Sequence, residues 1–198
     1  KAGFDNISID LMFGIPNQSF KDLKKDLKKI IQIVPDNVSI YSLIWEEGTI
    51  FWSKLKKGIL SQMDQDLEAQ MYEEIIDFLK NNGYSHYEIS NFSIGNKKGI
   101  HNLKYWKNQE FIGVGMSAAT YYEGKRYSNV RTFNKYYKYI DENKIPIDEN
   151  SVEKVDDIEK EKLKNMLGLR LTEEGVEYFK NQKVEKLIEK RLLERFDN

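Results

Sequence analysis

The sequence predicts an α/β fold organised around a parallel sheet, and the spacing of its apolar residues is the main reason. Three short β-rich runs, at 6–13, 38–44 and 84–89, are separated by segments whose apolar side chains recur every three or four residues. Strands that alternate with helices in this way are typical of βαβ units. Hydrophobic residues make up 40% of the chain, which is enough for a packed core and excludes a disordered protein.

The first predicted strand, 6–13, alternates apolar residues with polar ones such as Ser8 and Asp10, so one of its faces should be polar. An amphipathic helix is expected to follow. Ser19 is a suitable N-cap for this helix, because its hydroxyl can accept a hydrogen bond from an amide of the first turn. Pro35 is expected to end it.

The next segment predicts a second strand, a polar loop and a longer helix. The β-rich run 38–44 precedes the polar loop 46–49, and a short helical turn is predicted at 51–55. Asp64 is expected to cap the longer helix at its amino end, and Gly83 to follow its carboxyl end in the left-handed conformation.

Parallel sheets bind ligands where the loops leave the carboxyl ends of the strands. This rule selects Asp10 with the loop 14–16, Ser42 with the loop 46–47, and the segment 88–91. Asp10 has two interpretations: it accepts hydrogen bonds from hydroxyl groups of a ligand, or it is a strand-end cap or an ion-pair partner. The two carboxylates at 46–47 are adjacent and point apart, so we do not expect them to form an acid–base pair.

The second half of the chain has a different pattern. The runs 111–122 and 125–129 are β-like, and 123–124 between them indicates a hairpin turn. An aromatic-rich helix is predicted at 132–142, followed by a polar linker at 143–153. Further helices are predicted at 156–169, 172–180 and 184–195.

These patterns predict an α/β domain at 1–142, a linker at 143–155 and a small helical C-terminal domain at 156–198. The chain begins with lysine, one short turn before a strand, and stops directly after a helix-like run. We therefore expect it to be a piece of a longer protein, with the last domain truncated.

Composition excludes several classes of function. Lys and Arg (31) nearly balance Asp and Glu (32), so no basic field indicates nucleic-acid binding. Cysteine is absent, which excludes disulfides and any thiolate-bound metal within these residues. No apolar run approaches the roughly 18 residues of a membrane span, and no signal peptide opens the chain. A cytoplasmic location is the expectation that remains.

The most distinctive stretch is 101–106, which places a histidine, an asparagine, a tyrosine and a tryptophan within six residues. In one interpretation, Tyr105 and Trp106 are core anchors and His101 is a satisfied hydrogen-bonding residue. In the other, the run binds a flat ligand, because a neutral imidazole is a competent iron ligand and aromatic rings suit a planar macrocycle. The residues alone leave both interpretations open.

Other candidate features are weaker. Gly113 and Gly115 lack the third glycine and helix start of a phosphate loop, so we expect them to allow a close approach of the backbone. His86, in a strand, is expected to be structural. With two histidines and no cysteine, the sequence supports no nucleophilic triad or dyad.

Several stretches form a collinear set of motifs: 9–16, 41–43 with 46–49, 87–92, 101–106, 113–115 and 168–172. In order and spacing they resemble the radical SAM family that contains oxygen-independent coproporphyrinogen III oxidase and HemW-type heme chaperones. The resemblance covers most of the chain, and its several collinear motifs make it specific. The resemblance implies the later βα units of a partial radical SAM barrel, an α/β extension and a helical C-terminal domain.

The resemblance also implies ligands for individual residues. In this family the aspartate of a D-L-x-x-G-x-P strand helps to bind S-adenosylmethionine, which points to Asp10. The next strand lies near the adenine, which points to Tyr41 and Ser42. The H-N-x-x-Y-W run is typical of the heme-chaperone branch and associated with heme binding there. It corresponds to His101, Asn102, Tyr105 and Trp106.

Two departures from the family pattern matter. The C-x-x-x-C-x-x-C loop that holds a [4Fe–4S] cluster is absent, so the cluster cysteines are expected upstream and this chain has no metal ligands of that kind. Without them the chain cannot be an active radical enzyme alone. Relatives often have a histidine in the motif after the aromatic run, where this chain has Ala119.

The function predicted from the resemblance is that of a heme chaperone, which binds heme, a [4Fe–4S] cluster and S-adenosylmethionine when intact. Its partners would be heme and a heme-acceptor protein. One alternative is the oxidase itself, which decarboxylates a porphyrinogen oxidatively, and another is a scaffold fragment without a ligand. Catalytic residues are not assigned. An open partial barrel would also leave the strand at 7–13 as an apolar edge, which predicts poor solubility of this chain alone.

Overall fold

The computed structural model describes residues 3–177 and 181–195. No helix in these described ranges is both long and apolar enough to cross a membrane. The chain divides into two compact units: unit 1 contains Lys1–Leu103 and Leu171–Glu173, and unit 2 contains Lys104–Arg170 and Glu174–Asn198. The domain boundaries drawn from the sequence stay a prediction, because this division reflects local packing and not independent folding.

Unit 1 is built on a four-stranded sheet. In chain order its elements are β1 (Ser8–Phe13), α1 (Phe20–Ile33), β2 (Asn37–Ser42), α2 (Ile50–Lys56), α3 (Gln65–Asn81), β3 (Tyr84–Glu88), β4 (Asn91–Ile94) and α4 (Ile100–Trp106), whose last three residues belong to unit 2.

The sheet has the strand order β1-β2-β4-β3. β1 pairs with β2 in parallel and α1 connects them, so the first predicted βαβ unit is confirmed. β3 runs in the same direction as β1 and β2, as predicted, but it does not pair with β2. A tight turn after Glu88 returns the chain as β4, a strand that the sequence did not predict, which pairs antiparallel with both β2 and β3 and separates them. The predicted parallel sheet is therefore a mixed sheet. β1 is an edge strand, as predicted; the poor solubility inferred from it stays a prediction.

Local capping explains where the two long helices begin and end. Ser19 accepts a hydrogen bond from the Asp22 amide at 3.2 Å, and the Asp22 carboxylate accepts one from the Ser19 amide at 3.0 Å. This capping box starts α1, and Val34 ends it in the left-handed conformation. Asp64 accepts from two first-turn amides of α3 at 3.1 Å, and Gly83 follows that helix with φ +86°. Both predicted N-caps are confirmed.

One face of the sheet packs against α1 and α3 to form the core of unit 1. Along β2, only alternate residues point to this face. The most buried apolar side chains of the core are Leu23, Leu27 and Ile30 from α1, Val38 and Ile40 from β2, Met71, Ile75 and Leu79 from α3, and Phe92 from β4.

His86 is part of this core. Its ring stacks on that of Phe92, with the ring centroids 4.4 Å apart, and only 9% of its surface is exposed. Its Nε2–H donates to the carbonyl oxygen of Ile89 at 3.1 Å. Burial lowers the pKa of His86, and the hydrogen bond to Ile89 opposes only part of this effect. The neutral ring is therefore the form that the core accommodates.

A later segment of the chain packs on β3. The Thr172 amide donates to the Tyr87 carbonyl at 3.3 Å, and the Thr172 hydroxyl donates to the His86 carbonyl. Leu171 beside it is buried. The predicted helix at 172–180 is wrong for 172–177, where the chain forms a turn and then irregular backbone; residues 178–180 lie outside the described residues.

Unit 2 contains a smaller sheet and three helices in its described residues, besides the last turn of α4. Its elements are β5 (Ala119–Tyr122), β6 (Lys125–Ser128), α5 (Phe133–Asp141), a 3-10 turn (Glu149–Ser151), β7 (Glu153–Lys154), α6 (Asp157–Gly168) and α7 (Gln182–Glu189).

The predicted hairpin of unit 2 is confirmed. β5 and β6 pair antiparallel through a turn in which Glu123 and Gly124 both have positive φ, as in hairpin turns of type I′. In the segment predicted as a linker, Ile147 forms a bridge with Asn129, and the chain then enters β7, which pairs with β6. This pairing between distant segments leaves no sequence signal.

Two helix predictions near the carboxyl end need adjustment. The run 156–169 is confirmed as α6, with Asp156 as its N-cap. The run 184–195 is shorter than predicted, because the helix spans Gln182–Glu189 and Arg191 has positive φ, which ends it. Residues 196–198 lie outside the described residues.

The core predicts a large loss of stability for Phe92→Ala. The side chain is fully buried and stacks on His86, so its removal should lower the free energy of unfolding by about 3–5 kcal/mol. Phe4→Ala is the matched control, because Phe4 is 77% exposed and should change stability by less than about 0.5 kcal/mol. Urea unfolding measures both, and equal midpoints would contradict the assignment of the core.

The lowered pKa of His86 predicts a loss of stability at acidic pH. The unfolded chain binds a proton near the ordinary histidine pKa of 6.5, and the folded chain binds it only at lower pH. The free energy of unfolding should therefore fall as the pH drops below about 6.5. The total loss is about 1.4 kcal/mol for each tenfold difference in proton affinity between the unfolded and the folded state. His86→Phe should flatten this dependence in urea unfolding between pH 5 and 7.5, and Phe4→Ala, which removes no titratable group, should not. An identical slope in His86→Phe would exclude His86 as the cause.

Candidate functional site

The face of the unit 1 sheet opposite the helices is polar, and a row of four residues crosses it. The strand register aligns Asp10 with Ser39, Ser39 with Asn91, and Asn91 with Glu88. The residues on either side of Ser39 lie in the apolar core, so this row lies on the other face of the sheet.

Glu88 stands out in this row because its side chain is fully buried. A shift of register between His86 and Glu88 directs the Glu88 side chain toward Asn91. Its Oε1 accepts hydrogen bonds from the Ser90 amide at 3.2 Å and from the side-chain amide of Asn91. Its Oε2 is buried and has no partner among the described residues. A buried carboxylate oxygen without a donor is costly, so this atom favours an additional donor from water or a ligand.

Two further buried oxygens on the same face lack partners in the described part of the chain: Oδ1 of Asn37 and Oγ of Ser93. They are aligned with each other across β2 and β4. A polar cavity of about 300 Å³ lies on this face, and its carboxamides and hydroxyls suit a ligand with N–H or O–H donors. Its lining consists of Asn6, Ser8, Asn37, Ser39, Tyr87, Asn91, Gly99 and Asn102.

The three residues predicted to bind S-adenosylmethionine divide between the two faces of the sheet. Asp10 is exposed on the polar face of β1. The register pairs Met12 with Tyr41, so Tyr41 lies on the same face as Asp10 and is its diagonal neighbour. Ser42 points to the opposite face, where its hydroxyl donates to the carboxylate of Glu68 on α3. The structure thus brings Asp10 and Tyr41 together and separates the Ser42 side chain from them.

Glu68 is a residue of this region that the sequence analysis did not identify. It lies in the first turn of α3, and nothing in its local sequence distinguishes it from an ordinary helix-start acid. Gly14 follows β1 with φ +70°, and a Cβ added there would lie only 3.2 Å from Ser42 Oγ. The ends of β1 and β2 are therefore close together, and Glu68 holds the Ser42 side chain there.

The run 101–106 forms most of α4. His101 is exposed at the start of this helix, and Asn102 lines the polar cavity of unit 1. Residues four apart lie on the same side of a helix, so His101 and Tyr105 share a face of α4. The helical conformation, which the sequence analysis did not predict, thus brings two of the four predicted heme contacts onto one face.

Tyr105 and Trp106 pack inside unit 2. The Tyr105 ring contacts the Phe111 ring edge to face, with the ring centroids 4.6 Å apart. The guanidinium carbon of Arg170 lies 4.3 Å from the centroid of Trp106. Trp106 Nε1 is buried without a partner among the described residues. The indole therefore provides a packing surface for Arg170 in a cation–π contact, which agrees with the interpretation of Trp106 as an anchor.

The glycine pair after the aromatic run allows the backbone to pack closely, as predicted. A Cβ on Gly113 would overlap the carbonyl group of Ala119. Asn129 holds this loop in place, because its side-chain amide donates to the carbonyl oxygens of Gly113 at 3.3 Å and Gly115 at 2.7 Å. Ala119, where relatives often have a histidine, begins β5.

The carboxylates at 46–47 are exposed, and Thr49 after them caps α2 by accepting from the Trp52 amide at 3.2 Å. In the described ranges, no three histidine or acidic side chains cluster in a way that could hold a metal ion.

The chain is similar over most of its length to proteins named heme chaperones. HemW of Lactococcus lactis subsp. lactis is 40% identical over 170 residues, which are 86% of this chain and 44% of that protein. HemW of Bacillus subtilis is 39% identical over 173 residues, which are 87% of this chain and 45% of that protein. The chain thus spans less than half the length of these relatives. No family model matches the chain.

A solved structure has the same fold. Coproporphyrinogen III oxidase HemN from Escherichia coli, a radical SAM enzyme, superimposes with a TM-score of 0.58 over 73% of this chain and 36% of that chain. At 21% sequence identity this likeness concerns the fold alone, and it confirms the predicted α/β class with part of a radical SAM barrel. The identity to HemW over most of the chain shows that the chain belongs to the family of the HemW heme chaperones.

Proposed function

We propose that the protein represented by this chain is a heme chaperone that, when intact, also binds S-adenosylmethionine and a [4Fe–4S] cluster. The observation that carries the proposal is the identity of 39–40% to heme chaperones over 86–87% of the chain. A protein that accepts the heme would be its partner. The likeness to coproporphyrinogen III oxidase does not favour the oxidase reaction, because it concerns the fold that both functions share.

Heme is proposed to contact α4, which contains His101, Asn102, Tyr105 and Trp106. A neutral imidazole is a common ligand of heme iron. The sequence has two histidines, and the structure makes only His101 accessible, since His86 is buried against Phe92. The imidazole of His101 is therefore the group of this helix that fits heme iron. Trp106 already packs against Arg170, so its contribution would be to shape the helix surface.

S-adenosylmethionine is proposed to bind on the polar face of the unit 1 sheet. The exposed carboxylate of Asp10 can accept hydrogen bonds from ribose hydroxyls, and the neighbouring ring of Tyr41 offers an apolar surface to a base. The Ser42 side chain is engaged by Glu68, so Ser42 would act through its backbone. These placements fit the polar character of this face.

The cluster does not fit the residues of this chain. A [4Fe–4S] cluster in this family is held by cysteine thiolates, and these 198 residues contain none. The chain therefore offers no ligand to the cluster, and no radical step can be derived from its own side chains.

The proposal predicts that His101→Ala weakens heme binding. Removal of the proposed iron ligand should reduce the affinity for hemin by about tenfold or more and abolish the shift of the Soret band on binding. Alanine favours helix, so α4 should remain folded. Absorbance titration of the chain with hemin measures both quantities.

Lys104→Ala is the control for this titration, because Lys104 is exposed on the same helix and is not a proposed heme contact. It should bind hemin as the original chain does. An unchanged Soret band and affinity in His101→Ala would remove His101 as the ligand. No hemin binding by the original chain would argue against heme binding by these residues altogether.

A further inference from the structure

Unit 2 contains a cavity to which neither the sequence nor the comparisons assign a ligand. It has a volume of about 440 Å³, within the range of small-molecule sites. The apolar part of its wall comes from α4, α6 and the segment before β5. The residues that matter for its chemistry are Tyr105, Phe111, Arg126, Leu163, Met166 and Leu167.

The wall of this cavity has an apolar side and a polar side, and the polar side includes residues such as Asn108, Ser128 and Glu153. Tyr105 and Phe111 are in edge-to-face contact, so their rings form a rigid aromatic corner. Met166 is 59% exposed although its side chain is apolar. A flexible thioether at the rim can adapt to the surface of a bound ring system. An apolar wall of this kind favours a ligand with a hydrophobic body.

Arg126 on β6 supplies the one cationic group in the wall. Its guanidinium donates to Asn108 Oδ1 at 3.1 Å and lies over the Tyr121 ring, with 5.0 Å between the guanidinium carbon and the ring centroid. The ion pairs of the described residues do not include Arg126. Glu153, aligned with it on β7, lines the same cavity without forming an ion pair. The guanidinium thus retains donors for another carboxylate.

We infer that this cavity binds a flat, largely apolar ligand with carboxylate groups, and that Arg126 is the partner of one carboxylate. A planar guanidinium can bind a carboxylate through two parallel hydrogen bonds, and the aromatic corner and Met166 contact the ring system. This inference rests on the proposed function for the identity of the ligand, since heme is a flat apolar ring with two propionates. All the residues that line this cavity belong to unit 2.

The test compares hemin with hemin dimethyl ester, in which both propionates are blocked. Arg126→Gln should weaken hemin binding by about tenfold to a hundredfold, the range for a hydrogen bond to a charged group. Binding of the ester should change by less than about twofold. Arg126→Lys keeps the positive charge but loses the planar guanidinium that can form two parallel hydrogen bonds. Its loss of affinity for hemin should therefore be intermediate. The affinities are measured by absorbance titration of the whole chain, with circular dichroism to compare folding.

Two variants complete the design. Arg131→Gln, an exposed arginine of the same unit, is the matched control and should bind both ligands normally. Glu153→Gln removes the carboxylate that faces Arg126 and should tighten hemin binding without affecting the ester. Equal losses for hemin and ester in both Arg126 variants, or no loss in either variant, would overturn the inference.

Failure of the inference and failure of the proposed function give different results. If the original chain binds hemin and Arg126→Gln binds it equally well, only the propionate site is wrong. If the original chain binds neither hemin nor its ester, the proposed heme function of these residues is wrong. The inference that the unit 2 cavity binds heme is then wrong as well.

Discussion

The alternation of side chains along β2 is the constraint on which unit 1 depends. Val38 and Ile40 must face α1 and α3, so Asn37 and Ser39 have to face the other way. Pairing extends this division to β1 and β4, because residues in register share a face of the sheet. A slip of one residue would expose the apolar set and bury the polar one. The polar face is therefore a consequence of core packing, and it is also where buried oxygens remain without partners.

The parts of the fold that could be predicted are those with local causes. Ser19 and Asp64 cap their helices through hydrogen bonds to residues two or three positions away, so the sequence reveals both starts. The type I′ turn at 123–124 is equally local. β4 and β7 were not predictable, because they are four and two residues long and exist through pairing with distant strands.

The candidate site follows the same division. The motif match identified Asp10 and Tyr41, and the register places them on one face. The match could not indicate that the Ser42 side chain points to Glu68, because that contact depends on how α3 packs. In the same way, the contact of Trp106 with Arg170 joins residues 64 positions apart and is set by the packing of unit 2. The burial of Glu88 depends on the shift of register in the β3–β4 pairing, and no sequence pattern predicts that shift.

The central claim is that heme binding belongs to α4, and not to β1 and β2 of unit 1. Hydrogen–deuterium exchange with and without hemin tests it most directly, because bound ligand slows the opening of the backbone it contacts. We expect slower exchange in α4, Ile100–Trp106, which contains the proposed ligand His101, and in the hairpin of β5 and β6. Exchange in β1 and β2 should not change. Protection confined to β1 and β2, with α4 and the hairpin unaffected, would contradict the account.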